Sequence, residues 1–179
     1  MNKPEYIKKL GGLNPVPYLD FIRNNPVIFL RDERKKRDIV FGDAKVFFLL
    51  EEFRSNTPDL TKQFEYVAKD LFKFLGLCYG PGTIYNIQFA LLPPGEKIKG
   101  HYDQGLQFSL SQRIHVPLVT CRDVVFHIDN RKFNFEAGLI VEINNNEYHA
   151  VENNSQNTER VHLIIDYVPK KYVKYIYSP

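Results

Sequence analysis

His101 and Asp103 stand two residues apart in KIKGHYDQG, residues 97–105, at the end of a run with strand character. Side chains at i and i+2 of an extended segment leave on the same side. An imidazole and a carboxylate are therefore offered together, as a metal would require. A third ligand is needed, and NNEYHAVEN supplies His149 on another short strand. Two histidines and one carboxylate, with other coordination positions open, make the facial triad of non-haem Fe(II) sites. Closed structural zinc sites instead recruit cysteines and fill four positions, and Cys78 and Cys121 lack any such spacing.

A second group of polar residues sits inside otherwise apolar strands. In QRIHVPL, Ile114, Val116 and Leu118 form one column, and Arg113, His115 and Pro117 the other. In RVHLIIDYV, Val161, Leu163, Ile165 and Tyr167 face one way, with Arg160, His162, Ile164 and Asp166 opposite. If the polar columns line an interior, Arg113 and Arg160 need an anionic partner, because an unmatched buried charge is costly. A small dicarboxylate would serve, since a guanidinium fork matches carboxylate geometry. His127 has no partner at telling spacing and reads as structural or exposed. His162 fits either Arg160's column or a satisfied core position, and Cys121 reads as a small buried hydrophobe.

These residues need a rigid scaffold. From about residue 83 the runs TIYNIQFALL, RIHVPLV, VVFHI, KFNF, LIVEI, HAVEN and RVHLIIDYV are rich in β-branched and aromatic residues. Gly, Asn, Asp and Pro clusters separate them. Seven or eight short strands without intervening helices predict an antiparallel sandwich or barrel. Residues 1–82 read as broken and partly helical. VPYLDFIRNNP makes a short helix ended by Pro26. TPDLTKQFEYVAKDLFKFLG makes a longer one, with Thr57 as cap, Pro58 in its first turn and Gly76 as its end. Its stripe of Leu60, Phe64, Val67, Ala68, Leu71 and Leu75 predicts packing against a sheet. The chain is thus expected to be a single domain, 1–179, with a mixed helical support (1–82), a β-barrel core (83–169) and a C-terminal tail (170–179).

The 179 residues suffice for one buried core. With 44% hydrophobic and 25% charged residues the chain reads as globular rather than disordered. A net charge of +3 is too weak to mark a nucleic-acid binder. The mixed-sign run RDERKKRD, residues 31–38, reads as a solvated loop. The tail PKKYVKYIYSP interleaves Lys170, Lys171 and Lys174 with tyrosines, a pattern that can bind single strands but more commonly makes a surface. No window approaches the eighteen or so apolar residues of a membrane helix. Nor is there a signal-peptide run at the amino terminus. A soluble cytoplasmic protein is expected.

The segments PPGEKIKGHYD, RIHVPLV, VEINNNEYHAVEN and ERVHLIIDYV, in this order across residues 85–169, resemble the aspartyl/asparaginyl β-hydroxylase family of Fe(II)- and 2-oxoglutarate-dependent oxygenases. The resemblance implies a mainly β fold, a double-stranded β-helix (jelly-roll, cupin-like barrel) with iron at its mouth. It implies a dioxygenase that consumes O2 and 2-oxoglutarate and hydroxylates an unactivated C–H bond. His101 and His149 match the family's iron-binding histidines, and Arg160 matches the arginine that binds the distal carboxylate of 2-oxoglutarate. Arg113 and His115 match its Arg-X-His pair, which helps hold the co-substrate. Asp103 stands where the family's animal peptide hydroxylases lack a carboxylate ligand, so their substrate does not transfer directly.

The substrate expected from the resemblance is an Asp, Asn or other side chain in a peptide or protein. A free amino acid such as proline is the alternative. Polar positions such as Asn86, Gln88, Gln107 and Asn144 would decide between them. A non-catalytic cupin-like metal-binding module is a reading of another class, against which the paired arginines count.

Overall fold

The computed structural model describes residues 3–30 and 39–177; the charged run at 31–38 lies outside the described residues. In chain order the strands are β1 (Ile7–Gly12), β2 (Lys45–Leu50), β3 (Gly82–Leu92), β4 (Lys97–His101) and β5 (Gln112–Val119). They continue as β6 (Val124–Ile128), β7 (Arg131–Phe133), β8 (Leu139–Ile143), β9 (His149–Asn153) and β10 (Arg160–Pro169). The helices are α1 (Val16–Asn24), α2 (Pro58–Tyr79), α3 (Leu106–Leu110) and α4 (Lys170–Ile176).

Two antiparallel sheets face each other. The larger has six strands in the order β1-β8-β5-β10-β3-β2, and the smaller has four in the order β4-β9-β6-β7. The expected jelly-roll barrel is present. The amino-terminal part is not only a helical support, however, because β1 pairs with β8 and β2 with β3, extending the large sheet at both edges.

The alternation of β5 and β10 divides their residues as expected. Ile114, Val116, Leu118, Val161, Leu163, Ile165 and Tyr167 point outward, into the core shared with α1 and α2. The stripe of α2 supplies Phe64, Ala68, Leu71 and Leu75 to that core. Phe64 meets the rings of Tyr18, Phe21, Phe72 and Phe89. A second apolar cluster, including Phe126, Val141, Ile143 and Val151, fills the space between the sheets.

Two local expectations are corrected. The helix runs through Gly76, which costs about 1 kcal/mol relative to alanine, and stops at Gly80, whose φ of 78° suits glycine alone. The Tyr167 hydroxyl donates to the Gly80 carbonyl at 2.6 Å, which secures that end. Thr57 caps through its carbonyl, which accepts from the Thr61 N–H, rather than through its side chain.

Candidate metal centre

Strands β4 and β9 pair so that His101 lies directly opposite His149, after an irregularity in register beyond Ile98. The two rings face each other with centroids 4.3 Å apart. Asp103, just past the end of β4, completes the group, and one ligand atom from each residue lies within 4.8 Å of the others. Asp103 Oδ1 is 3.8 Å from His101 Nε2 and 3.9 Å from His149 Nε2.

Both imidazoles are held by carbonyls of their own segments. His101 Nδ1 is 2.8 Å from the Lys99 carbonyl, and His149 Nδ1 is 2.9 Å from the Glu147 carbonyl. A carbonyl only accepts, so each Nδ1 carries the proton and each Nε2 is left with its lone pair. That is the tautomer a metal-binding histidine needs, with the outer bond fixing the ring. Burial, only partly opposed by Asp103, lowers the pKa of His149 and favours the neutral ring. Neutral imidazoles and a carboxylate with open positions fit a divalent iron. Gly100 lies against the Tyr148 ring, and a Cβ there would overlap it.

Asp103 is held from behind. Arg113 Nε lies 3.3 Å from Asp103 Oδ2, and Asn145 Nδ2 donates to the same oxygen at 3.2 Å. The Asp103 N–H donates to the Asn145 carbonyl. Burial alone would raise the Asp103 pKa, but Arg113, His149, Asn145 and His101 together bring it below the usual carboxylate value. Arg113 also donates to both oxygens of Asp166, at 3.1 and 3.2 Å. Asp166 sits on β10 directly between Arg113 on β5 and Asn86 on β3, and Asn86 Nδ2 donates to it at 2.9 Å. The anionic partners of Arg113 are thus two carboxylates of the protein. On the far side of the site, Lys3 Nζ donates to Asn145 Oδ1 at 2.7 Å.

Arg160 begins β10 at the other end of the same inward column and is only 1% exposed. Its guanidinium lies over the Phe126 ring, 5.0 Å from the centroid. His162 stacks on that ring at 5.3 Å, and its Nδ1 lies 3.3 Å from His115 Nδ1. Burial, and next the charge of Arg160, push both histidines well below their ordinary pKa, so both are neutral. Two neutral rings sharing an Nδ1–Nδ1 hydrogen bond cannot both carry the proton there, so one Nε2 bears an N–H. Both Nε2 atoms are buried without a hydrogen-bond partner among the described residues. Only the Nε2 that bears the N–H could donate to a bound anion.

His101, Asp103 and His149 are therefore brought together, with Arg113 against them and Arg160 with His115 deeper in the barrel. Asn145, Asp166 and Lys3 join the site without having been singled out. Asp166 lay in the polar column of its strand, while Asn145 sat in a triple-asparagine turn whose orientation no pattern discloses. Asn86, Gln88 and Gln107 line one cavity. Asn144 does not join them, and donates instead to the Glu5 carbonyl. His127 lies 3.3 Å from Glu152 and away from the site.

A jelly-roll barrel with a His-X-Asp pair and a distant histidine at its mouth defines the class of 2-oxoglutarate- and Fe(II)-dependent oxygenases. Solved structures share the fold. One is an oxidoreductase of the 2OG-Fe(II) oxygenase family from Burkholderia pseudomallei (TM-score 0.55, 18% identity), over 70% of this chain and 66% of that one. A prolyl-4-hydroxylase from Pseudomonas putida aligns over 92% of this chain and 91% of its own (TM-score 0.57, 16% identity). A prolyl hydroxylase from Trichoplax adhaerens, in complex with a hypoxia-inducible-factor oxygen degradation domain peptide, aligns over 96% and 86% (TM-score 0.59, 11% identity). No curated protein matches the chain in sequence. The family model for aspartyl/asparaginyl β-hydroxylase matches residues 32–169, and the chain belongs to that family. It is accordingly an enzyme of the hydroxylase type that uses Fe(II), 2-oxoglutarate and O2. Among the described residues no helix is long and apolar enough to cross a membrane.

Proposed function

We propose that this enzyme hydroxylates an unactivated C–H bond of an amino-acid side chain, with His101, Asp103 and His149 as the iron ligands. The family's description points to an aspartyl or asparaginyl residue of a peptide or protein, and a free amino acid such as proline is the second reading. Bound Fe(II) supplies the chemistry that divides O2 between two products, one atom leaving in succinate as 2-oxoglutarate loses CO2, the other entering the C–H bond as hydroxyl.

The protein's own groups do the rest. Arg160, buried over Phe126, pairs with the far carboxylate of 2-oxoglutarate, and the imidazole N–H of the His115–His162 pair donates beside it. Arg113 and Asn145 hold Asp103 by one oxygen and leave the other turned toward the histidines. Phe126, Val141, Ile143 and Ile164 exclude water from the space between the sheets. The observation that carries the reading is the convergence of His101, Asp103 and His149 within 4.8 Å in a barrel that also buries Arg160, over Phe126. A metal store of the cupin kind has no use for that buried arginine.

Anaerobic reconstitution with Fe(II), followed by a succinate-release screen over free amino acids and aspartyl or asparaginyl peptides, tests the proposal. Succinate release that requires 2-oxoglutarate and O2, and disappears in His149→Ala, is expected. Succinate release undiminished in that variant would remove the metal assignment.

A further inference from the structure

We propose that Lys3 is a positioning residue of the proposed metal centre: its ammonium fixes the amide of Asn145, and the amide in turn fixes the carboxylate of Asp103. The inference rests on the reading of His101, Asp103 and His149 as metal ligands and adds to it a residue of the amino-terminal segment.

The segment is tied down before it reaches the site. β1 pairs with one edge of β8 and β5 with the other, so that Ile143 has Ile7 on one side and Arg113 on the other. Ahead of Ile7, the Tyr6 carbonyl accepts from the Asn144 N–H at 2.8 Å, and the Glu5 carbonyl from Asn144 Nδ2 at 3.2 Å. Arg131 lies over the Tyr6 ring, 4.6 Å from its centroid. Pro4 disfavours helical backbone at Lys3 and so keeps the segment extended. Lys3 is thereby carried across the end of β8. There its Nζ donates to the Ser111 carbonyl, just ahead of β5, and to Asn145 Oδ1 at 2.7 Å.

The chemistry of the three groups admits one arrangement. An ammonium only donates and a carboxylate only accepts, whereas an amide has one end of each kind. Asn145 lies between them, with Oδ1 on Lys3 and Nδ2 3.2 Å from Asp103 Oδ2. Turned over, the amide would set its oxygen against the carboxylate and its NH2 against the ammonium. Both bonds would then be lost in a fully buried position. Burial lowers the Lys3 pKa to about 8, with Glu142, Asp166 and Asp103 favouring the charge and Arg113 opposing it, so the amine is an ammonium at neutral pH.

The same turn serves a second proposed ligand. The Glu147 N–H donates to the Asn144 carbonyl at 3.2 Å, and the Glu147 carbonyl receives His149 Nδ1. The Asp103 N–H donates to the Asn145 carbonyl at 3.3 Å. The amino-terminal segment therefore braces the turn from which both Asp103 and His149 take outer bonds. By charge alone an ammonium beside a cation site is a cost, because it repels the incoming ion. Its place there is accounted for by what it positions.

The test is anaerobic Mn(II) titration of the full chain, with Tm recorded for each variant. By charge alone, Lys3→Met would tighten Mn(II) binding, because it removes a positive group from the neighbourhood. Loss of position is expected to win, lowering the affinity by roughly fivefold or more, short of the 10–100-fold of a direct outer partner. Because Lys3 acts through Asn145, the double variant Lys3→Met/Asn145→Leu is expected to bind Mn(II) within about twofold of Asn145→Leu alone. Unchanged or tighter binding by Lys3→Met overturns the inference, even where its Tm falls. Losses that multiply in the double variant overturn it as well. Mn(II) binding by the parent chain that survives His149→Ala undiminished overturns the metal reading, and the inference with it. Loss of binding in His149→Ala beside full binding in Lys3→Met confines the failure to Lys3.

Discussion

Arg113 and Asp103 are joined through a single carboxylate oxygen: Arg113 Nε lies 3.3 Å from Oδ2, while Oδ1 faces the Nε2 atoms of both histidines. One cation thus decides which oxygen of Asp103 is turned to the proposed metal position. Arg113→Gln keeps a donor but loses the charge and the reach to Asp166. Loss of an outer partner of a metal ligand costs roughly 10–100-fold in metal affinity. That loss is expected in anaerobic Mn(II) or Fe(II) titration of the variant, and an unchanged affinity would show that Arg113 does not orient the ligand.

Asn145 is the second support. It is wholly buried, donates to Asp103 Oδ2 and accepts from Lys3. Burial is the largest influence on Lys3 and lowers its pKa to about 8. Asn145→Leu leaves that amine with the Ser111 carbonyl alone, and releases Asp103. Metal affinity is expected to drop by about 10–100-fold, with a lower Tm than Arg113→Gln at matched pH. Normal metal affinity beside a lowered Tm would leave Asn145 a purely structural role.

Arg160→Lys removes the planar fork but keeps the charge. Charge-assisted hydrogen bonds contribute about 1.5–3 kcal/mol, equivalent to about 10–100-fold in affinity. The KM for 2-oxoglutarate is expected to rise by that factor while Mn(II) affinity is unchanged. A KM unaffected by the substitution would place the co-substrate carboxylate elsewhere.

His115 and His162 make a pH prediction. Their folded pKa values lie well below 6.5, chiefly through burial and then through the charge of Arg160. The unfolded chain therefore binds more protons as pH falls through 6.5, and stability declines with acidification in that window. Burial raises Asp166 and Glu142, which gives a slope of opposite sign below neutrality, so the comparison must be between variants. His162→Phe is expected to flatten the fall of Tm between pH 6.5 and 5. A Tm profile parallel to that of the parent chain contradicts the neutral buried pair.

Phe64 anchors the helix-covered face of the large sheet through four aromatic neighbours. Phe64→Ala is expected to reduce unfolding free energy by about 3–5 kcal/mol in urea titration. Metal affinity of the folded variant should hold, because Phe64 lies on the opposite side of that sheet from the proposed metal ligands. A large metal defect would mean that the two layers are coupled.

The strands after residue 82 were legible because they combine β-branched alternation with clear breaks, and VVFHI and HAVEN coincide with β6 and β9. β1 was not, since IKKLGG is an edge strand whose exposed lysines and glycines erase the period-two pattern. KVFFLL in β2 is a continuous apolar run, which periodicity cannot assign to strand or helix. The histidines and Asp103 were legible because their types and spacing carry chemistry by themselves. The roles of Asp166 and Asn145 come from cross-strand register and turn geometry. Those relations join residues that are distant in sequence, such as Asn86 and Asp166.

The carbonyls of Lys99 and Glu147 fix the two imidazoles from within their own segments, and Arg113 and Asn145 fix the carboxylate. The outer partners of all three donors thus belong to the polypeptide itself. Such a site has no intrinsic means of refusing zinc or copper, which bind nitrogen and oxygen donors more tightly than ferrous iron. Correct metallation would be governed by the ion supply around the protein, and mismetallation would silence the enzyme while leaving its melting curve that of a sound, folded barrel.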